Sequence, residues 1–183
     1  MDLCRAAPMP EPEVVDAASR GERADPSPVP GDSRAYRAVL GRFATGVTVV
    51  TCAGADGPIG MTVNSFTSLS LDPPLVMWSP AKSSHRHPHY SAARRFAIHV
   101  LKVDQRPLAD AFMRSAEAFH DVRWRAAADG LPLMEGCLAR FECERIAEHD
   151  AGDHTIMIGR VTAMEAAEGA PLLYFKGRYA AVA

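Results

Sequence analysis

Residues 60–75, reading GMTVNSFTSLSLDPPL, carry short uncharged polar side chains where an ordinary core strand carries aliphatic ones. Met61, Val63 and Phe66 are apolar, whereas Thr62, Asn64, Ser65, Thr67, Ser68 and Ser70 supply hydroxyl and amide groups. Alternate side chains of a strand point to opposite faces. One face can therefore pack inward while the other presents a row of small hydrogen-bonding groups. Such a row suits a flat polar heterocycle with a carbonyl-rich edge better than a metal or a peptide. It equally describes an edge strand with a solvated Ser/Thr face. Further on, Lys82, Ser83 and Ser84 put one cation and two hydroxyls at the expected start of a short helix. Free N–H groups and the dipole at a helix start favour an anion, phosphate above all; a polar loop is the plain alternative. His85, His87 and His89 offer imidazoles for a transition metal. Pro88 interrupts any ladder there, and no Cys or acidic ligand lies close in sequence, which favours a surface cluster. Gly152-Asp153-His154 leads into the strand-like TIMIGRV and, taken alone, is a turn.

The elements that must position these residues follow from pattern. Asp32 or Ser33 caps a helix running to about Phe43, with Tyr36, Leu40 and Phe43 on one face and Arg34, Arg37 and Arg42 off it. Gly46 ends that helix, and the β-branched run 47–53 is a strand. Asp56-Gly57 signals a hairpin with positive φ at both central positions. The polar stretch is then the return strand, continuing to Leu71. Pro73-Pro74 interrupts the ladder before a strand at 75–78. Residues 96–101 form a buried strand in which His99 is a hydrogen-bonded core residue. A helix starts near Gln105, with Leu108, Ala111, Phe112 and Ala116 on its apolar side. Residues 120–132 read as a mobile connection. Residues 138–144 alternate as a half-buried strand, with Cys137 and Cys143 as small packing residues. Strands at 155–161 and 172–179 complete the chain.

Length and composition exclude several classes. A chain of 183 residues suits one domain with a tail. Residues 1–32 contain six prolines and little aliphatic periodicity, the composition of a disordered tail, so the folded domain is placed at 33–183. A net charge of -2 gives no electrostatic reason to expect nucleic acid or an acidic membrane as partner. No apolar run approaches a membrane span and no signal-peptide core opens the chain. Four cysteines without a CxxC pair point to a reduced cytoplasmic setting. No GxGxxG follows a strand, and GxSxG, Walker A and HExxH patterns are missing, which removes the Rossmann, serine hydrolase, NTPase and zincin readings.

GMTVNSF followed by SLSLDPPLV, the Lys82-Ser83-Ser84 segment, GDH ahead of a strand and the final LLYFKGRY together resemble the flavin reductase-like family. The resemblance spans residues 36–179. It implies a mainly β fold, an antiparallel FMN-binding split β-barrel of Greek-key type with short flanking helices, assembled as a homodimer. It implies an NAD(P)H:flavin oxidoreductase that passes a hydride from NADH or NADPH to FMN or FAD and supplies reduced flavin to a partner monooxygenase. In that family the Ser-rich segment grips the flavin phosphate, and the His of GDH seats the nicotinamide, which makes His154 the catalytic-site residue here. Asp153 orients that ring or merely ends the turn. Thr45, Met61, Thr62, Val63, Asn64, Ser65 and Ser68 become flavin contacts alongside Lys82, Ser83 and Ser84. Arg178 and Tyr179 become contacts of flavin or nicotinamide nucleotide. Hydride passes between the cofactors themselves. The protein therefore has to stack two rings and stabilise charge at the flavin N1–C2 edge with aimed donors. No paired carboxylates are needed, and no metal is expected. Two alternatives remain: a flavoprotein that keeps FMN and reduces another acceptor, and a non-enzymatic flavin- or haem-binding module on the same barrel.

Overall fold

The computed structural model describes residues 33–182; the Pro-rich segment 1–32 and its expected disorder lie outside the described residues. Helix α1 (Ser33–Leu40) is followed by β1 (Thr45–Gly46), β2 (Thr48–Ala53), β3 (Pro58–Val63), β4 (Thr67–Leu71) and β5 (Pro74–Trp78). Then come α2 (His87–Ala92), β6 (Arg95–Val100), α3 (Arg106–Arg114), β7 (Trp124–Ala126) and β8 (Pro132–Met134). Two long strands, β9 (Ala139–Ala151) and β10 (His154–Ala166), precede β11 (Leu173–Phe175) and β12 (Arg178–Ala180). The fold is mainly β and antiparallel with short helices, as the sequence implies. No described helix is long and apolar enough to cross a membrane.

Seven strands form one sheet in the order β3-β2-β6-β9-β10-β5-β4. The polar stretch is thus not one return strand. It divides at Asn64 between β3 and β4, the two outer strands of the sheet. A flat seven-stranded sheet would hold its outer strands about 29 Å apart. The chain from Val63 to Thr67 reaches at most about 14 Å. The sheet must therefore curl until its edges approach, the direction in which strand twist already bends it.

Strand β2 explains why its β-branched run was legible: both of its faces are covered. Val50 and Cys52 pack with Trp78, Tyr90, Phe96 and Ile98, while Val47 and Val49 pack with Leu101, Phe112, Met134 and Leu172. Trp78 meets Tyr90 edge-on at 4.9 Å between ring centres, and the Tyr90 hydroxyl donates to the Val50 carbonyl at 2.7 Å. Gly60 lies where α3 crosses β3; a Cβ there would stand 2.4 Å from the Phe112 ring, so only glycine permits this approach.

Several expectations need correction. Helix α1 ends at Leu40, and Gly46 belongs to β1 instead of a cap. The apolar face of α1 is exposed, with Tyr36 at 52% and Leu40 at 53%, and Phe43 lies beyond the helix at 77%. In the β2–β3 turn only Gly57 takes positive φ (146°); Asp56 does not. Residues 120–132 contain β7, which pairs with β8 as a hairpin. Residues 172–179 are not one strand but a tight hairpin, with Lys176 (φ 50°) and Gly177 (φ 77°) supplying the two left-handed positions. Helix α3 ends at Arg114, so Ala116 lies beyond it and not on its apolar side. The readings of His99, Cys137 and Cys143 hold. His99 is fully buried, its Nδ1 against the Val49 carbonyl at 3.1 Å and its Nε2 accepting the Met134 N–H at 3.0 Å. Burial pushes the thiols of Cys137 and Cys143 up to about 11 and about 12, which leaves them as packing groups.

Candidate active site

The segment from Ser79 to His87, between β5 and β6, holds the candidate residues together. At its start the Ser79 N–H donates to Ser65 Oγ at 3.0 Å and the Ser79 carbonyl accepts from it at 3.2 Å. Ser65 is thereby pinned at the crossing from β3 to β4. The Pro80 carbonyl accepts the Thr155 N–H at 3.1 Å, and Ala81 bridges His154. The Lys82 N–H donates to the Asp153 carbonyl at 2.9 Å. Ser84 Oγ lies 3.9 Å from Met61 Sδ and accepts the Arg86 N–H at 3.3 Å. His87 Nε2 lies 2.8 Å from Thr155 Oγ1. Met61, Ser65, Lys82, Ser84 and His154, scattered over some ninety positions, thus come to one locus.

The Gly152-Asp153-His154 turn joins the long arms of β9 and β10, with Gly152 at positive φ (69°). Asp153 Oδ1 lies 2.7 Å from His154 Nδ1, and the imidazole is 42% exposed. The hydrogen bond from His154 holds the Asp153 carboxyl below the usual carboxylate range. A ring so held by Nδ1 turns its Nε2 outward as the available nitrogen. Lys82 braces the same turn: its ammonium donates to the Gly152 carbonyl at 2.7 Å and is paired with Asp150. Lys82→Met is expected to raise the KM for NADH by no more than about fivefold, the scale of an exposed ion pair, with the FMN Kd unchanged. Steady-state kinetics beside a flavin titration decide this; a loss confined to FMN affinity would place Lys82 on the phosphate instead.

The other candidates divide. Thr62 Oγ1 donates to the Ala109 carbonyl at 2.7 Å, so this hydroxyl ties β3 to α3. Val63 is half-buried against the core; Asn64, Ser68 and Ser83 are exposed. Helix α2 begins only at His87 and has six residues, so Ser83 and Ser84 sit in the turn before it and not at a helix start. Thr45, Arg178 and Tyr179 lie on a separate three-stranded sheet, β1-β11-β12, where Thr45 pairs with Tyr174. Met113 links the two groups: the Tyr179 hydroxyl lies 3.2 Å from its sulfur, and Arg86 Nη2 donates to its carbonyl at 3.3 Å. Burial and the neighbouring Asp110 raise the Tyr179 phenol, whose ring also lies under the Arg106 guanidinium at 5.4 Å.

Two buried polar atoms here lack any partner, Thr45 Oγ1 and Arg86 Nε. Buried polar groups are nearly always hydrogen-bonded, so both stand out, as do Trp78 Nε1 and Arg140 Nε elsewhere in the fold. Arg86 is the residue that pattern reading passed over, because the histidines on either side drew the metal question. Those histidines do not converge, and no group of three or more His, Cys, Asp or Glu among the described residues could hold a metal ion.

Residues 40–183 match the family model described as the flavin reductase like domain. The chain belongs to this family. It is 56% identical over 153 residues to the FMN reductase (NADH) SmoA of Agrobacterium fabrum, covering 82% of this chain and 88% of the relative. It is 37% identical over 155 residues to the reductase subunit of a flavin-dependent monooxygenase of Mycobacterium tuberculosis, covering 82% and 83%. Among solved structures, an NADH:FAD oxidoreductase of Streptomyces globisporus in complex with NAD and FAD fragments superimposes with a TM-score of 0.79 at 38% identity, covering 86% of this chain and 98% of that one. The ordered motifs that suggested the family in the sequence therefore pointed correctly.

Proposed function

We propose that this chain is an NADH-dependent flavin reductase that supplies reduced FMN or FAD to a partner monooxygenase. The observation that carries the reading is the convergence of Met61, Ser65, Ser84 and His154 on the Ser79–His87 segment in a chain of this family. Relatives are named as an FMN reductase (NADH) and as a monooxygenase reductase subunit, which supports both the donor and the partner. A flavin held there would supply the acceptor for a hydride from the nicotinamide. The chain's own residues bind and orient. Ser83 and Ser84 offer hydroxyls to the flavin phosphate. Met61 and Ser65, with the backbone of residues 62–64, line the ring, and Thr45 Oγ1 offers a donor in want of an acceptor. His154, fixed by Asp153, seats the nicotinamide, and Arg178 and Tyr179 flank the nucleotide from the C-terminal hairpin.

Residues 33–183 form the catalytic domain in this reading, a cytoplasmic homodimer of split β-barrels. The three-residue link between the outer strands supports the barrel. The exposed apolar face of α1, with Val39 at 70% and Leu40 at 53%, supports a second copy as its cover.

Anaerobic stopped-flow absorbance at the flavin band tests the activity. Bleaching of FMN in excess over protein on mixing with NADH is the expected result. Bleaching of a single equivalent would make the flavin a retained group with another acceptor, and no bleaching despite flavin binding would make the chain a binding module.

A further inference from the structure

Arg86 is a cation that the fold buries without an anion. The residue is 6% exposed, yet among the described residues its guanidinium makes no ion pair. Nη2 has only the Met113 carbonyl, at 3.3 Å, and Nε has nothing. The other deeply buried guanidinium is charge-paired: Arg140, whose Nε likewise lacks a hydrogen bond, is held by Glu165 at 2.8 Å and approached by Glu142 at 3.5 Å. An unpaired buried charge is among the costliest things a core can hold. Burial also pulls the Arg86 guanidinium below its usual pKa, as expected for a cation short of a counter-charge.

Its position says what the missing anion is. The Arg86 N–H donates to Ser84 Oγ, and that hydroxyl lies against Met61 on β3. The guanidinium reaches Met113 at the end of α3, where the Gly60 N–H is bound by the Ala116 carbonyl. Ser84 and the guanidinium therefore lie at one junction of β3 with α3. Lys82, the cation that sequence offers for this task, is already committed to Asp150 and the Gly152 carbonyl. We infer that Arg86 supplies the positive charge for the phosphate of the bound flavin, with Ser83 and Ser84 as its hydroxyl partners, and that Lys82 takes no part in phosphate recognition. The inference rests on the flavin reductase reading above. Guanidinium suits the task because its planar donors match phosphate oxygens.

Riboflavin, which has the ring without the phosphate, makes the test specific. Flavin fluorescence quenching on the full chain gives the Kd of FMN and of riboflavin. The wild type is expected to bind FMN at least tenfold tighter, with inorganic phosphate competing against FMN only. Arg86→Gln is expected to lose that preference while riboflavin binding moves less than twofold; Lys82→Met keeps the preference. A preference that survives Arg86→Gln, or vanishes in Lys82→Met, overturns the inference. Equal affinity of the wild type for the two flavins overturns it and leaves the reductase reading standing, whereas binding of neither overturns both. Should Arg86→Gln fail to fold, the wild type still decides. Phosphate must raise its Tm above that in chloride at equal ionic strength, because an anion bound only by the folded chain stabilises it; an unchanged Tm overturns the inference.

Discussion

Alanine in place of His154 is expected to raise the KM for NADH about tenfold while moving the FMN Kd by less than twofold. The factor corresponds to one hydrogen bond to a bound ligand, about 1.4 kcal/mol. Truncation removes the imidazole but keeps the backbone bridge from residue 154 to Ala81, so the β9–β10 turn stays in place. The ring is free to serve a ligand because Asp153 holds it by Nδ1 at 2.7 Å and it remains 42% exposed. Since the Asp153 carboxyl lies below the usual carboxylate range, it stays ionised throughout the neutral region and keeps holding the ring in one orientation. Steady-state kinetics with each substrate varied in turn, beside a flavin titration, make the measurement. Equal loss of both affinities would assign His154 to the flavin or to the stability of the turn.

What the sequence disclosed depended on how local its physical cause was. The runs at 47–53, 96–101 and 155–161 were legible because burial on both faces, or strict alternation, is written into neighbouring residues. The polar stretch at 60–75 was legible as a site but not as a structure. Its two halves pair with β2 and β5, on opposite sides of the sheet, and nothing within sixteen residues states which strand each half will meet. The partner of the Thr62 hydroxyl was hidden for the same reason: its acceptor, the Ala109 carbonyl, lies 47 positions away. Strand β7 is exposed at all three residues, so it offers no hydrophobic alternation to find. Lys176 at positive φ gives no signal either, because Asn or Asp is the residue that announces such a turn. Arg86 differs in kind. Its type suggests a solvated cation, and only the folded chain shows it buried and short of a partner.

Acid is expected to unfold this protein through His99 before most of its carboxylates are protonated. The side chain is fully buried, and its Nε2 accepts the Met134 N–H, so the native fold needs that nitrogen unprotonated. Burial brings its pKa down from the ordinary 6.5 to about 3, against a smaller opposing contribution from the Val49 carbonyl and with a still smaller lowering by the nearby Arg140 charge. The unfolded chain therefore binds a proton that the folded chain refuses. The stability this supports is complete above pH 6.5 and drains away as pH falls toward 3, at about 1.36 kcal/mol per pH unit, on the order of 5 kcal/mol in all. That is a large share of the roughly 5 to 15 kcal/mol a domain possesses. Urea unfolding at a series of pH values between 7 and 4 should show this slope, and His99→Gln should flatten it by close to one proton. A variant with the wild-type slope, or a ring nitrogen spectrum showing His99 protonated in the folded protein at pH 5, would place the acid sensitivity elsewhere. The same proton requirement gives the core a reason to hold β6 against β8: Nδ1 and Nε2 join β2, β6 and β8 through one side chain, and a second proton on the ring would break the junction at Met134.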